Sequence, residues 1–210
     1  MKKKNFLNKV LLTSYMISTF SEGIILPIYA IFVQKIGGDI LDAGLALGIF
    51  LMFEGIFTYF IHTKKRNHDK KIKIMISGWF VWLIGILIYL VISSKWTLFL
   101  AQIFLALGNA LADPIYDEEF ASNTNKNSSE KQWGLFEGGI SFTQGLSAMV
   151  GGIIASIFGF EILIYTMAIT ATISFILILY YFRRVRKWYQ KTFLFVKDRI
   201  PSSSLNLNFA

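Results

Sequence analysis

The sequence predicts an all-α integral membrane protein of six transmembrane helices, arranged as two inverted three-helix repeats. Of its 210 residues, 54% are hydrophobic and only 16% are charged, and the mean hydropathy is +0.54. A soluble domain needs less apolar surface than this for its core. A pattern of polar residues and glycines recurs between the two halves of the hydrophobic region, which indicates the repeat.

Six apolar runs have the length of about 20 residues that a helix needs to cross a bilayer. Charged or turn residues bound them at 10–33, 41–61, 72–93, 97–116, 133–158 and 160–182. The first run follows a lysine-rich start, as in a signal peptide. Its length and the lack of a small-residue cleavage site lead us to expect a retained helix.

Lysine and arginine are concentrated on one side of this predicted membrane. Of the 21 basic residues, 19 lie in residues 1–9, 63–73, 117–132 and 183–210, whereas the opposite loops contain only Lys35 and Lys95. The positive-inside rule then predicts cytoplasmic termini, and we expect the inner membrane of a prokaryotic cell. Because this bias accounts for the net charge of +8, the expected partner is the lipid bilayer and not nucleic acid.

The same boundaries predict the organisation of the chain. A cytoplasmic tail over 1–9 precedes the first four helices over 10–116, which include the first three-helix repeat. A cytoplasmic loop over 117–132 leads to the last two helices over 133–182, and a basic tail covers 183–210. The tail mixes basic and aromatic residues, which fits either a helix in the headgroup region or a disordered segment.

Motifs for enzymatic chemistry are absent from the sequence. It has no cysteine, no phosphate-binding loop, no nucleotide fingerprint and no Ser/His/Asp arrangement. His62 and His68 are six residues apart, a spacing that does not place them on one helical face. We therefore expect no enzyme activity, no cofactor and no metal site.

The internal repeat relates the first two helices to the fourth and fifth. Glu22 and Asn109 each stand five residues before a Pro-Ile-Tyr sequence. Glu54 and Gln144 each follow, by ten residues, a glycine that has another glycine four positions later. Because three helices separate the copies, they cross the membrane in opposite directions. Chance similarity between glycine-rich helices is the alternative explanation.

The repeat places polar side chains near the middle of the bilayer. Glu22 and Asn109 each lie about 12 residues into their helices, which corresponds to mid-depth at about 1.5 Å per residue. A charge there costs about 2.5–3.5 kcal/mol, so Glu22 and Glu54 are candidates for proton or cation coupling. Structural hydrogen bonding is the alternative role for both.

Other polar and aromatic residues of these helices are candidates for contact with a substrate. Amides donate and accept hydrogen bonds, and tyrosines can stack on a ligand, although both also bond or pack against neighbouring helices. The candidates are Asn109, Gln144, Gln102, Tyr29 and Tyr116. Two tryptophans are expected to fill space or lie at the membrane interface, namely Trp79 and Trp82.

The fourth and fifth helices resemble those of the Major Facilitator Superfamily. The spacing of Gln102, Ala106, Gly108 and Pro114 follows the family's Arg-x3-Gly-x-Gly signature and later proline, with Gln for Arg and Ala for the first Gly. Ser147-Ala-Met-Val-Gly-Gly stands where many exporters carry Gly-Pro-x-x-Gly-Gly. The resemblance covers roughly residues 10–182 and implies the N-terminal half of a transporter that normally has about twelve helices.

The resemblance also implies a function and an assembly. It implies secondary-active transport of a small solute by alternating access, through a cavity lined by the first and fourth helices. A lone half would close its cavity as a parallel homodimer with a two-fold axis along the membrane normal. Small residues that suit this interface are Gly44, Gly48, Gly145, Ala148 and Gly152. Alternatives are packing within one bundle, a non-transporting subunit or assembly factor, and one half of a split transporter.

Charge pairs in the family hold one transport state, which implies a cytoplasmic gate here. Acidic residues end the fourth helix and basic residues follow the second helix, both facing the same compartment. The gate candidates are Asp113, Asp117, Glu118, Lys64, Lys65 and Arg66. A solvated rim contributing ~0–1 kcal/mol per pair is the alternative.

Overall fold

The computed structural model describes residues 2–63, 65–124 and 129–197, and all regular structure in these ranges is helical. Six stretches are long and apolar enough to cross a membrane, which confirms the predicted fold class. The first stretch consists of α1 and α2, and α3 to α7 form the others. The helices are α1 (Lys2–Gly23), α2 (Tyr29–Lys35), α3 (Ile40–His62), α4 (His68–Ile88), α5 (Lys95–Asn123), α6 (Ser129–Ile157) and α7 (Gly159–Lys197).

The connections between helices distinguish two ends of the bundle, the basic side and the opposite side. The basic side carries the start of α1 and the connections from α3 to α4 and from α5 to α6. The opposite side carries the connections over residues 36–39 and 92–94 and the junction at Phe158.

A proline interrupts the first membrane segment. The continuous helix expected over 10–33 is wrong at this point, because Pro27 lies in a 3-10 turn, Leu26–Ile28, between α1 and α2. Proline has no N–H and its ring opposes the preceding helical turn. Pro114, its counterpart in the repeat, lies inside the continuous helix α5. The repeat therefore differs in local backbone geometry.

Side-chain caps fix where several helices begin. Asp39 and Asp42 form a capping box at the start of α3, and Ser94 and Thr97 form one at the start of α5. The Asn67 side chain accepts the backbone N–H of Lys70 at the start of α4. Each cap satisfies a backbone N–H that the first helical turn leaves unpaired.

Two regions outside the predicted membrane spans are largely helical. α5 continues to Asn123 and α6 starts at Ser129, so the expected loop over 117–132 is much shorter. α7 continues from the last membrane segment to Lys197, which agrees with the helical alternative for the tail over 183–197 and not with the disordered one. No glycine or proline occurs in 117–123 or 183–197 to stop either helix.

The packing of the helices follows the inverted repeat. α5 packs on α3 and α4, α1 packs on α6 and α7, and α4 packs on α7. Exchanging α1 with α5, α3 with α6 and α4 with α7 maps these contacts onto one another, whereas the α6–α7 contact has no α3–α4 counterpart of comparable extent. The inverted pairing inferred from the sequence is therefore present in the tertiary structure.

Glycines permit the closest helix contact. A Cβ atom at Gly108 in α5 would lie 2.6 Å from the backbone of Trp82 in α4. A Cβ atom at Gly78 would lie 2.8 Å from the carbonyl oxygen of Gly108. Gly108, which belongs to the family signature, therefore allows α4 and α5 to pack closely. This packing keeps Trp82 next to the interior of the bundle.

α3 and α6 are the least covered helices. In their most apolar stretches 17% of the residues are buried, compared with 33–50% in the other membrane segments. Nothing in the described structure lies within 4 Å of a Cβ atom built at Gly44, Gly48, Gly145 or Gly152. These four glycines therefore make no close packing contact with another helix of the described bundle.

Candidate functional site

A polar cavity lies between α1, α4 and α5. Its cavity volume is about 40 Å³. It is lined by two carboxylates, one amide, three aromatic rings and small residues: Glu22, Asp113, Asn109, Tyr15, Trp79, Trp82, Ser18, Thr19 and Ala112. Two predicted functional residues, Glu22 and Asn109, are therefore brought together from the two halves of the repeat.

Trp82 binds Glu22 directly. The indole N–H of Trp82 donates a hydrogen bond to Oε1 of Glu22, and the Trp82 side chain is only 3% exposed. The expectation that Trp82 fills space or lies at the membrane interface does not include this contact. A sequence pattern does not reveal it, because the contact depends on how α1 and α4 pack.

Three carboxylates lie close to one another in this region. Glu54 on α3 is near the side-chain amide of Asn109 on α5. Glu22, Glu54 and Asp113 are near enough to one another for their charges to repel. The residues that line the polar cavity include no lysine, arginine or histidine. The cavity therefore has an excess of acidic groups.

Asp113 is one of the predicted gate residues, but it borders the polar cavity and is partly buried. It lies one helical turn from Asn109 on α5, so both side chains reach the same face. An apolar run that ends near residue 116 predicts a position for Asp113 at the cytoplasmic rim of the membrane. α5 in fact continues for about two further turns, to Asn123.

An apolar cavity adjoins the polar one, and Glu22 lines both. Its cavity volume is about 190 Å³, and its walls include Leu26, Leu47, Phe50 and Leu105. At one edge Gln102 donates its amide N–H to the hydroxyls of Tyr29 and Tyr89, each at 2.8 Å. Gln102 and Tyr29, two of the proposed substrate contacts, thus border this cavity, but they are bonded to each other.

Two of the proposed substrate contacts lie elsewhere. Tyr116 is fully buried and its ring packs against Tyr15 at a centroid distance of 4.6 Å. Gln144 is exposed on α6. Neither lines the polar or the apolar cavity.

The charges on the basic side pair differently from the prediction. Lys71 donates to both carboxylate oxygens of Glu118, at 2.6 and 2.8 Å. Lys65 and Arg66 border the same cleft as Glu118, and Asp117 is exposed. Lys64 lies outside the described residues.

A buried network beside this cleft links three helices. Glu119 is 6% exposed, and its Oε1 lies 3.0 Å from Nδ1 of His68 at the start of α4. Tyr181 of α7 donates its hydroxyl to the other oxygen at 2.9 Å. On the opposite side, Lys95 of α5 pairs with the buried Asp42 of α3 at 3.1 Å. Sequence reasoning missed both groups because their members are far apart in the chain.

Comparison with known proteins decides the family. The family model of the Major Facilitator Superfamily matches residues 11–196. The chain belongs to the Major Facilitator Superfamily. The resemblance stated from Gln102, Ala106, Gly108 and Pro114 is thereby confirmed, and the protein is an integral membrane protein of a transporter family.

A curated relative supports the same family. An uncharacterised transporter of the Major Facilitator type from Methanocaldococcus jannaschii is 26% identical over 153 residues. The matched region covers 71% of this chain and 39% of that relative, so the chain spans about two fifths of the relative's length. Family membership supports transport as the general function, and members of the family are generally not enzymes.

Proposed function

We propose that this chain is a half-sized secondary transporter subunit that moves a small solute by alternating access, with protons as the coupling ion. The acidic polar cavity between α1, α4 and α5 is the observation that supports this role most directly. Ionisable groups at membrane depth are costly and are typical of substrate or ion pathways. Glu22, Glu54 and Asp113 are the proposed coupling groups, and Asn109, which lies near Glu54, is the proposed substrate contact.

The second half of the transporter is proposed to be another copy of the same chain. The exposed, glycine-bearing faces of α3 and α6 suit close approach of a second six-helix unit. A parallel dimer would cover the apolar cavity, two of whose walls, Leu26 and Leu47, are 63% and 48% exposed. In this arrangement both termini are cytoplasmic, and Gln144 reaches the substrate from the dimer seam.

The basic side is proposed to contain the inner gate. Asp117, Glu118, Lys65 and Arg66 lie at this end of the bundle. Ion pairs between two copies at this rim would hold the inner entrance shut and separate when it opens.

Single cysteines test alternating access, since the natural chain contains none. Thr19→Cys places a thiol in the polar cavity, and we expect a membrane-impermeant maleimide to label it from both sides in oriented vesicles. Lys9→Cys and Asp39→Cys are controls at exposed positions near the basic and opposite ends, and each is expected to react from one side only. The controls also report the orientation of the termini.

Labelling of Thr19→Cys from only one side at every pH would contradict alternating access. No labelling from either side, with both controls reactive, would favour a non-transporting subunit. In the same background, replacing both Lys65 and Arg66 with Gln is expected to increase labelling from the basic side. Unchanged labelling in that variant would contradict the gate.

A further inference from the structure

A cleft on the basic side of the bundle lies where the start of α1 meets the end of α5 and the start of α6. Its volume is about 320 Å³, within the range of about 300–1,000 Å³ that is typical of small-molecule sites. Its walls include two lysines, a buried amide and three apolar side chains: Lys9, Lys131, Asn8, Leu12, Leu135 and Phe120. None of these residues lines the polar or the apolar cavity, so the cleft is a separate feature of the molecule.

We propose that this cleft binds an anionic phospholipid with a hydroxyl-bearing headgroup, taken from the membrane leaflet on the basic side. The phosphate of the lipid lies between Lys9 and Lys131, and the start of its hydrocarbon follows Leu12 and Leu135. A hydroxyl of the headgroup bonds to Asn8. The site does not depend on the proposed transport role, because none of these residues is assigned to coupling, substrate contact or the gate.

The two lysines determine the charge of the cleft. Lys9 and Lys131 are both exposed, and neither forms an ion pair with another side chain of the described residues. No aspartate or glutamate occurs among the described residues that line the cleft. Anionic headgroups attract basic side chains at the membrane surface, and a phosphate accepts hydrogen bonds from their ammonium groups. The cleft therefore favours a lipid of net negative charge over a zwitterionic lipid.

The apolar walls favour a lipid over a free phosphate. Leu135 is 64% exposed, Leu12 is half-buried and Phe120 is buried behind them. A free phosphate would leave these side chains in contact with water, whereas the hydrocarbon of a lipid covers them. Leu135 precedes Gly145 by ten residues, or about 15 Å along α6, so a lipid in the cleft leaves the proposed dimer seam uncovered.

Asn8 provides an independent sign of a ligand, and it indicates a donor in the headgroup. Its side chain is 6% exposed, and its amide nitrogen donates to the backbone carbonyl of Phe120. Because a carbonyl oxygen only accepts, this contact fixes which end of the amide is nitrogen. The other end, Oδ1, is buried and has no hydrogen-bond partner in the described structure. An acceptor without a donor costs free energy, which a headgroup hydroxyl would offset, whereas a phosphodiester has no donor to offer.

Three lipids with identical acyl chains test the charge and the hydroxyl separately. Phosphatidylglycerol, phosphatidylmethanol and phosphatidylcholine are titrated into the purified full chain in mild detergent, and native mass measurement counts the lipids bound per chain. Phosphatidylmethanol keeps the phosphodiester charge but has no hydroxyl. We expect phosphatidylglycerol to bind about tenfold more tightly than phosphatidylcholine and about threefold more tightly than phosphatidylmethanol. Equal binding of phosphatidylglycerol and phosphatidylcholine would overturn the anionic site, and equal binding of the two anionic lipids would overturn the bond to Asn8.

Lysine variants then locate the site. Replacing both Lys9 and Lys131 with Gln is expected to weaken phosphatidylglycerol binding about tenfold and to leave phosphatidylcholine binding unchanged. The matched control replaces both Lys70 and Lys73 with Gln, because these are two exposed lysines near the basic-side end of α4 that lie outside the cleft. An equal loss of affinity in the two double variants would show attraction to net charge alone and would overturn the assignment to the cleft.

A deacylated competitor distinguishes a lipid from a free phosphate compound. Glycerophosphoglycerol has the headgroup of phosphatidylglycerol without its hydrocarbon. At a concentration equal to that of the lipid, we expect it to displace little phosphatidylglycerol, because it cannot cover Leu12 and Leu135. Displacement of about half of the bound lipid would indicate that the headgroup alone is recognised, and it would overturn the proposal of a lipid site.

Discussion

At the scale of single residues, the main feature is the setting of Glu22. Its carboxylate accepts the N–H of Trp82 and interacts electrostatically with Glu54, and both are on other helices. Protonation of this group can therefore alter the balance of contacts between α1, α3 and α4.

Proton coupling at Glu22 predicts that access to the polar cavity depends on pH. In the Thr19→Cys background, the ratio of labelling from the two sides is expected to change with pH. Glu22→Gln is expected to remove most of this pH dependence, because Gln keeps a hydrogen-bond acceptor for Trp82 but cannot gain or lose a proton.

Glu161→Gln is the control, since it removes an exposed titratable group that lies outside both cavities. The measurement is the rate of maleimide labelling from each side as a function of pH. If Glu22→Gln keeps the full pH dependence, Glu22 is not the coupling group. Coupling would then belong to Glu54 or Asp113, or would be absent.

At the scale of elements, the break in the first membrane segment explains a glycine on another helix. At the break the Ile28 N–H bonds to the carbonyl of Ile25, so the Ile24 carbonyl loses its usual partner four residues later. Gly151 of α6 packs directly against this carbonyl, and a Cβ atom there would overlap the oxygen. The break in α1 and the glycine in α6 are thus parts of one contact.

Neighbouring glycines on α6 allow a matched test of this contact. Gly151→Ala is expected to destabilise the monomer by about 1–3 kcal/mol, as overpacking does in a close contact. Gly152→Ala is expected to be neutral or to stabilise by up to about 1 kcal/mol, since a Cβ atom there meets open space and alanine favours the helix.

The measurement is thermal unfolding in a detergent that keeps the chain monomeric, so that a dimer contact at Gly152 does not contribute. Equal destabilisation by the two substitutions would show that Gly151 does not pack closely on Ile24.

At the scale of the whole molecule, the bundle is open on two helices. α3 and α6 occupy corresponding positions in the two repeats and are both largely uncovered. Ion pairs at both ends tie α5 to α3 and α4, namely Lys95 to Asp42 and Lys71 to Glu118. These two ion pairs therefore hold α3, α4 and α5 together at both ends.

The prediction at this scale is a dimer with a defined seam. Native mass measurement in mild detergent is expected to give twice the 24.0 kDa chain mass. Gly48→Cys and Gly145→Cys, on separately tagged copies, are expected to form a disulfide between copies, because a two-fold axis sets α3 of one against α6 of the other.

Ile169→Cys is the control, since Ile169 is 60% exposed on α7, away from the proposed seam. Crosslinking of Gly48→Cys to the control as efficiently as to Gly145→Cys would rule out this seam. A strictly monomeric mass would favour a split transporter, in which a different six-helix chain supplies the second half.

Local patterns determined the fold class and part of the site. Hydrophobic runs of bilayer length gave six membrane segments, because the apolar solvent imposes both composition and length on every crossing. The repeat brought Glu22, Glu54 and Asn109 to similar depth, and the structure places Asn109 beside both carboxylates.

Contacts between distant residues could be decided only by the tertiary structure. Trp82 binds Glu22 and His68 meets Glu119 because glycine-mediated packing sets the rotation of α4, which no spacing within one helix encodes. Asp113 moved from the expected rim into the cavity because α5 continues beyond the apolar run. The sequence therefore determined which helices cross the membrane, whereas side-chain packing decided which of their faces build the cavity.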